Sequence, residues 1–338
     1  MSVSAESAVG YKDNLLLSAT GAEGSALVRG AVDFLLLHVP QGQADFSFFG
    51  QAERTEFLAD RTVDGETSLW LQTEGGYRWG ERFKVALPIT GYFYDQVFDV
   101  SDTDVERLVA ELKVKGLMVG PTLRWMPAPA WWLEIQGVGE RKRYDDRAND
   151  SKVGEGRAEV GWKPAARWRA SLTWQQRWRN FDRRAQYSAA GRELPGTALK
   201  VAEHEGELRT EFTWDRAGRW KTTARLGWIA YRDNGSGYFS YADRKAAVET
   251  EWRTERWRVR LDGNVNRIEF DVQTVGFGID PPARIKEEYA ATLRAERKLG
   301  PRWTLLAEYG WERSRSNDRF ASYRVNEGLL GARWSWEK

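Results

Sequence analysis

The stretch Trp168-Arg169-Ala170-Ser171-Leu172-Thr173-Trp174-Gln175-Gln176-Arg177-Trp178-Arg179 decides the fold. Trp168, Ala170, Leu172, Trp174 and Trp178 share one parity, and Arg169, Ser171, Thr173, Gln175, Arg177 and Arg179 share the other. Successive side chains of a β-strand point to opposite faces, so this period of two predicts a strand with one apolar and one polar face. The same arithmetic holds for Trp220 to Tyr231, Trp257 to Val265 and Trp303 to Glu312, and earlier for Leu69 to Trp79 and Phe83 to Phe93. Near Gly116 the apolar parity changes, from Ala110, Leu112 and Val114 to Leu117, Val119, Leu123 and Trp125, which predicts a β-bulge.

Two kinds of connection separate these runs. Short ones fall at Pro40-Gln41-Gly42, Gly80-Glu81, Pro127-Ala128-Pro129, Pro164-Ala165-Ala166, Asp215 to Gly218, Thr254-Glu255 and Leu299-Gly300-Pro301. Longer ones, richer in Gly, Asp, Asn and Ser, run over Asp145 to Ser151, Ala185 to Ala202, Asn234 to Asp243 and Gln273 to Ile285. The short turns, with an opening strand around Ala5 to Ser18 and a closing one from Arg324 to Trp336, predict about sixteen strands, the even count of a closed single-chain barrel. The expectation is one barrel domain over residues 1–338 with no plug domain ahead of it. No secretory signal follows Met1, so the chain reads as a mature form.

Composition narrows the class. The 338 residues carry 18 Trp, 12 Tyr and 14 Phe, an aromatic load that something must hide or use in a chain with a mean hydropathy of -0.62. Lys plus Arg (51) nearly balances Asp plus Glu (49), unlike the basic clustering of a nucleic-acid binder, so no nucleic-acid partner is expected. Cysteine is absent, which removes disulfides and thiolate sites. No apolar run approaches the roughly 20 residues of a membrane helix.

The aromatics settle which kind of barrel is expected. Trp168, Trp214, Trp220, Trp257 and Trp303 all lie within a few residues of a predicted tight turn. Trp and Tyr favour the membrane–water boundary and form girdles around membrane barrels. The fold class predicted is therefore all-β: a transmembrane antiparallel barrel of about sixteen strands in a bacterial outer membrane, with short turns on one rim and longer loops on the other. Gly331-Ala332-Arg333-Trp334-Ser335-Trp336 resembles the terminal assembly signal of outer-membrane barrels, a glycine followed by aromatics at the third and fifth positions after it. It departs from that pattern in continuing to Glu337-Lys338. The whole chain resembles the porin-like outer-membrane barrels of Gram-negative bacteria, and Val9 to Leu15 looks like the opening strand of barrels that accompany exopolysaccharide export.

In such a barrel the polar face turns inward, and the pore-lining residues predicted are Arg157, Arg169, Arg177, Arg209, Glu211, Arg225, Glu249, Glu251, Arg258, Arg260, Arg294, Glu296 and Glu308. Cross-strand ion pairs are expected among them. Arg258, Arg260, Arg169 and Arg177 suggest a local basic ladder attractive to anions, and Trp70, Tyr92, Tyr94 and Trp132 are expected to face inward, able to stack on sugar rings or on one another. The loop near Asp99 to Asp104 is short, so a long constriction loop is not expected there.

His38 and His204 lack ligand partners at recognisable spacing, and no Ser–His–acid motif occurs. Glu249 with Glu251, and Glu205 with Glu207, are better read as strand-face acids held ionised by Arg neighbours than as a glycosidase pair. No enzyme activity, cofactor or metal is expected. The function expected is a polar, charge-lined channel for passive passage of hydrophilic solutes or saccharides. A barrel scaffold whose interior holds a partner protein or lipoprotein is the alternative, and a soluble carbohydrate-binding β protein a third. Expected partners are outer-membrane lipid and lipopolysaccharide, a possible partner protein in or at the barrel, and further copies in a homo-oligomer.

Overall fold

The computed structural model describes all residues except 20–21, 39–41, 60–62, 100–108 and 277. The strands are β1 (Ser2–Lys12), β2 (Ser25–His38), β3 (Ala44–Phe57), β4 (Gly65–Trp79), β5 (Phe83–Asp99), β6 (Val109–Val119), β7 (Thr122–Ala128), β8 (Trp131–Tyr144), β9 (Ser151–Ala165) and β10 (Trp168–Phe181). A small hairpin of β11 (Gln186–Tyr187) and β12 (Glu193–Leu194) lies in the longest described connection. Then follow β13 (Lys200–Thr213), β14 (Trp220–Asp233), β15 (Tyr241–Arg253), β16 (Trp257–Thr274), β17 (Ala283–Lys298), β18 (Trp303–Ser316) and β19 (Tyr323–Glu337).

Outside the hairpin, and with β6 and β7 together filling one place between β5 and β8, each strand pairs antiparallel with its neighbours along the chain, and β1 pairs with β19 from Ser2↔Glu337 to Lys12↔Glu327. The sheet is thus closed. Closure leaves no edge strand, so the backbone N–H and C=O groups of the wall meet partners within the wall, which hydrocarbon surroundings require.

The expected bulge near Gly116 does not form. Ile89↔Val119 and Ala86↔Thr122 keep one register across the break between β6 and β7, as do Val119↔Gly139 and Thr122↔Gln136 on the other side. The two segments are one wall strand, which makes the barrel sixteen-stranded. Pro88 and Pro121 cause the break, because neither has an N–H for the ladder; their carbonyls still accept from Gly120 N and Gly137 N at 3.1 Å. What changes near Gly116 is composition and not geometry. Leu112 and Val114 simply face inward, while Leu117 and Leu123 face out.

The short turns sit within a residue or two of their expected places, and Pro40 and Gln41 lie outside the described residues. In the Asp215–Gly218 turn Gly218 adopts φ 68°, which a side chain would oppose. The Trp220 backbone N–H donates to Asp215 Oδ1 at 3.0 Å and holds that carboxyl below the usual aspartate range.

Exposure identifies the two faces. On the apolar parity Leu172 is 61% exposed and Leu226 59%, whereas Thr173 on the opposite parity is 8% exposed. Inward side chains of a closed cylinder crowd one another and outward ones stand bare. The apolar face is therefore the outside. Trp168, Trp214, Trp220, Trp257 and Trp303 stand exposed on it beside the short turns, as a girdle does.

Candidate functional site

Side chains of the inner face come from the parity opposite the girdle, and all thirteen residues predicted as pore-lining lie on it. They are interleaved by sign. Arg177 bridges Glu155 and Glu203, each at 2.9 Å, on the two strands flanking its own. Arg157 meets Glu159 at 2.8 Å, and Glu211 receives Arg209 at 2.9 Å and Lys221 at 2.6 Å. Arg258 reaches Glu251 at 2.6 Å, while Arg260 reaches Asp262 at 2.8 Å and Glu249 at 3.4 Å; Arg225 stands 3.8 Å from Glu249. Arg-x-acid spacing along a strand puts a cation and a carboxylate on one face about 7 Å apart at their Cα atoms, near enough for long side chains to close.

The suggested basic ladder of Arg258, Arg260, Arg169 and Arg177 does not present itself as free charge. Three of the four are engaged by carboxylates, and Arg169 lies over the Trp132 ring at 4.3 Å. Trp132 in turn donates Nε1–H to Glu159 at 3.0 Å, and the same carboxylate accepts from Thr173. The ring lies flat over Gly161, where a Cβ would stand 1.7 Å from a Trp132 carbon. Gly161→Val is thus expected to evict Trp132, release Arg169 and destabilise the barrel by about 1–3 kcal/mol, as overpacking does. The near-ultraviolet circular dichroism of tryptophan should collapse in step with a lower urea midpoint. An unchanged spectrum counts against this stack. Trp70, Tyr92 and Tyr94 also face inward and pack on one another, with centroids 5.9 Å and 5.3 Å apart.

Arg294, Glu296 and Glu308 belong to a larger network whose other members the sequence reading did not single out. Arg294 bonds Glu6 at 2.8 Å, Glu296 at 2.9 Å and Glu308 at 2.8 Å. Arg333 bonds Glu6 at 2.8 Å and Glu296 at 3.1 Å. Arg29 bonds Glu327 and extends to Glu308 and Glu53 at 3.6 Å and 3.7 Å. The network runs from β17 through β19 and β1 to β3, across the seam where the chain's two ends meet. The available signal was parity: Glu6 shares the inward face only once β1 is placed beside β19.

At the loop-bearing mouth, two apolar clusters lie against the inside of the wall. Leu15 from the β1–β2 connection and Val63 from the β3–β4 connection join inward-facing Leu27 and Phe57. Leu199 and Phe239 join Phe181, Val201 and Tyr231 on the far side, with Tyr231 stacked on Tyr241 at 4.8 Å. Loops therefore fold over the mouth from two sides. The Asp99 to Asp104 loop falls, beyond Asp99, outside the described residues. No cluster of three or more metal-ligating side chains occurs among the described residues, and His204 stands beside Trp174 on the outer face.

Comparison with solved structures matches this geometry across nearly all of the chain. OccAB4 of Acinetobacter baumannii aligns with a TM-score of 0.53 at 8% identity, covering 99% of this chain and 97% of that one. OpdK, an outer membrane protein from Pseudomonas aeruginosa, aligns at 0.50 and 10% identity over 99% of each chain. The chain folds as a porin-like outer-membrane barrel. A loop L8 deletion mutant of OmpT, an outer membrane protein of Vibrio cholerae, also aligns at 0.50, with 12% identity over 99% of each chain. Identities this low speak for the fold alone. Residues 236–332 of the porin-like barrel, from the β14–β15 connection into β19, match DUF481, a family described as a protein of unknown function. No curated protein matches.

Proposed function

We propose that the barrel is a passive channel for hydrophilic solutes, with weak charge selectivity and no catalytic role. The observation that carries this reading is the interleaving of inward Arg and Glu: charges dense enough to hydrate a passage yet paired closely enough to leave little net field along it. The lining proposed is Arg157, Arg169, Arg177, Arg209, Glu211, Arg225, Glu249, Glu251, Arg258, Arg260, Arg294, Glu296 and Glu308. Sixteen strands enclose room for water where side chains and loops do not fill it. The inward rings Trp70, Tyr92 and Trp132 are mostly committed to protein partners, so saccharide stacking is a secondary expectation.

The test is conductance of the detergent-folded protein in a planar bilayer under a potassium chloride gradient. Steady openings with a reversal potential near zero are expected. Arg177→Gln, which leaves Glu155 and Glu203 without their shared cation, should shift the reversal potential toward cation preference. Insertion without conductance would overturn the channel reading in favour of a barrel whose interior awaits a partner chain.

A further inference from the structure

The outer surface carries a height mark. Lys115, Arg141, Lys152, Arg267, Arg313 and Arg324 face outward, each ten residues along its wall strand from an outward-facing Trp at the short-turn rim: Trp125, Trp131, Trp162, Trp257, Trp303 and Trp334 respectively, of which Trp257 and Trp303 belong to the girdle described above. About 9–11 residues is what a tilted strand needs to cross the hydrocarbon layer. The six cations therefore sit where the apolar belt ends on the loop side, at headgroup level.

These cations are not treated alike. Arg267 and Arg244 oppose each other across β15 and β16, and both are neutralised: Arg267 by Glu269 at 2.9 Å and Glu287 at 3.4 Å, Arg244 by Glu269 at 3.8 Å. Lys115 and Arg143 also oppose each other directly, across β6 and β8, and have no carboxylate within ion-pair distance among the described residues. Like charges placed directly opposite are destabilising, so this pair is held at a cost. One strand further, Arg141 opposes Lys152, and of these two Arg141 bonds Asp182 at 3.0 Å. A cleft of about 600 Å³ opens here, lined by six cations, Arg147 and Arg183 from the loops among them, against three carboxylates, Asp145, Asp150 and Asp182, and bordered by Phe93. Below it Leu117 stands 56% exposed on the lipid face.

We infer that this outward cleft between β6, β8 and the loop after β8 binds the phosphates of an anionic lipid headgroup, in an outer membrane the lipid A part of lipopolysaccharide. A lipid is the occupant because the cleft is continuous with the apolar belt: the cations hold phosphate while Phe93 and Leu117 take the first part of the acyl chains. A bidentate Arg143 beside the point charge of Lys115 suits phosphate oxygens.

Native mass spectrometry of the full detergent-folded chain, titrated with bis-phosphorylated lipid A, with phosphate-free lipid A and with inorganic phosphate, tests this. K115Q/R143Q should weaken phosphorylated lipid A binding about 30-fold, since each cation near an anionic surface contributes roughly 1 kcal/mol. R244Q/R267Q, of equal charge change at a neutralised site, should stay within about twofold. Lys115→Glu, which makes an opposite-charge pair with Arg143, should lose the lipid while raising the urea midpoint, and so separates binding from folding. Equal binding by wild type and K115Q/R143Q overturns the site. So does equal affinity for phosphate-free lipid A, which makes the surface merely greasy, or displacement of lipid by millimolar inorganic phosphate, which makes it a free-phosphate site.

Discussion

Arg294→Met is expected to be the most damaging single change on the inner face. It removes one guanidinium that holds Glu6, Glu296 and Glu308 at 2.8–2.9 Å, and leaves three carboxylates facing one another with Arg333, Arg29 and, opposite Glu296, Arg258 to share them. Stripping one partner from a buried ion network costs about 3–5 kcal/mol, and exposed pairs contribute about 0–1. The Arg294 side chain is 24% exposed, so we expect about 2–3 kcal/mol, between those limits. The damage should concentrate at closure, because Glu6 lies on β1 and its partners on the last three strands. Urea titration of the folded protein in lipid vesicles, followed by tryptophan fluorescence, gives the loss. Slower assembly of the heat-modifiable band on gels should accompany it. Adding Glu6→Gln to Arg294→Met should recover part of the loss, since it removes one of the stranded charges; a double-mutant cycle measures the coupling. Additive effects would mean that the seam is held by its backbone ladder alone.

The same seam marks what the sequence could and could not disclose. Strand parity is local, so Trp168 to Arg179 or Trp257 to Val265 announced both faces before any partner was known, and the thirteen inward residues followed from it. Which charges meet is a matter of register and of closure. Glu6 and Arg333 are separated by nearly the whole chain and are brought together by the Ser2↔Glu337 pairing. Apparent breaks in parity were misleading for a related reason. Leu112 and Val114 face inward at the loop end of β6 while Lys113 and Lys115 face out, because that part of the strand lies above the apolar belt, where the rule of apolar outside no longer applies. The basic ladder failed because a list of Arg positions on one strand face omits the carboxylates of the neighbouring strands. The inward folding of Leu15 and Phe239 left no periodic trace, since connections obey turn chemistry and not alternation.

The outward face yields the second large effect, and it separates a lipid-facing surface from a dry protein core. Val160, Leu172, Leu208 and Leu226 form one cross-strand row on the outer wall. Leu208 is 44% exposed, six residues from Trp214 in the girdle. At about 3.3 Å per residue and a tilt near 45°, six residues rise about 14 Å, close to the middle of a 25 Å apolar band. Leu208→Arg should therefore destabilise the barrel in bilayers by about 2–4 kcal/mol, the penalty of arginine at the midplane. Ala170→Arg, two residues from Trp168 and outward-facing, should cost about 0–1 kcal/mol, because the guanidinium reaches the headgroups. Gln175→Arg, facing inward between Glu205 and Arg157, should cost little, because the new pair with Glu205 offsets the repulsion from Arg157. The depth gradient is the decisive feature. Lipid dissolves a charge near its boundary and refuses it at its centre, whereas a close-packed core has no such boundary two residues away and would reject Ala170→Arg as strongly as Leu208→Arg. Equal losses at the two positions would place the leucine row against protein; a steep difference places it against hydrocarbon, where the exposure of Leu172 and Leu226 and the closed backbone ladder both need it to be.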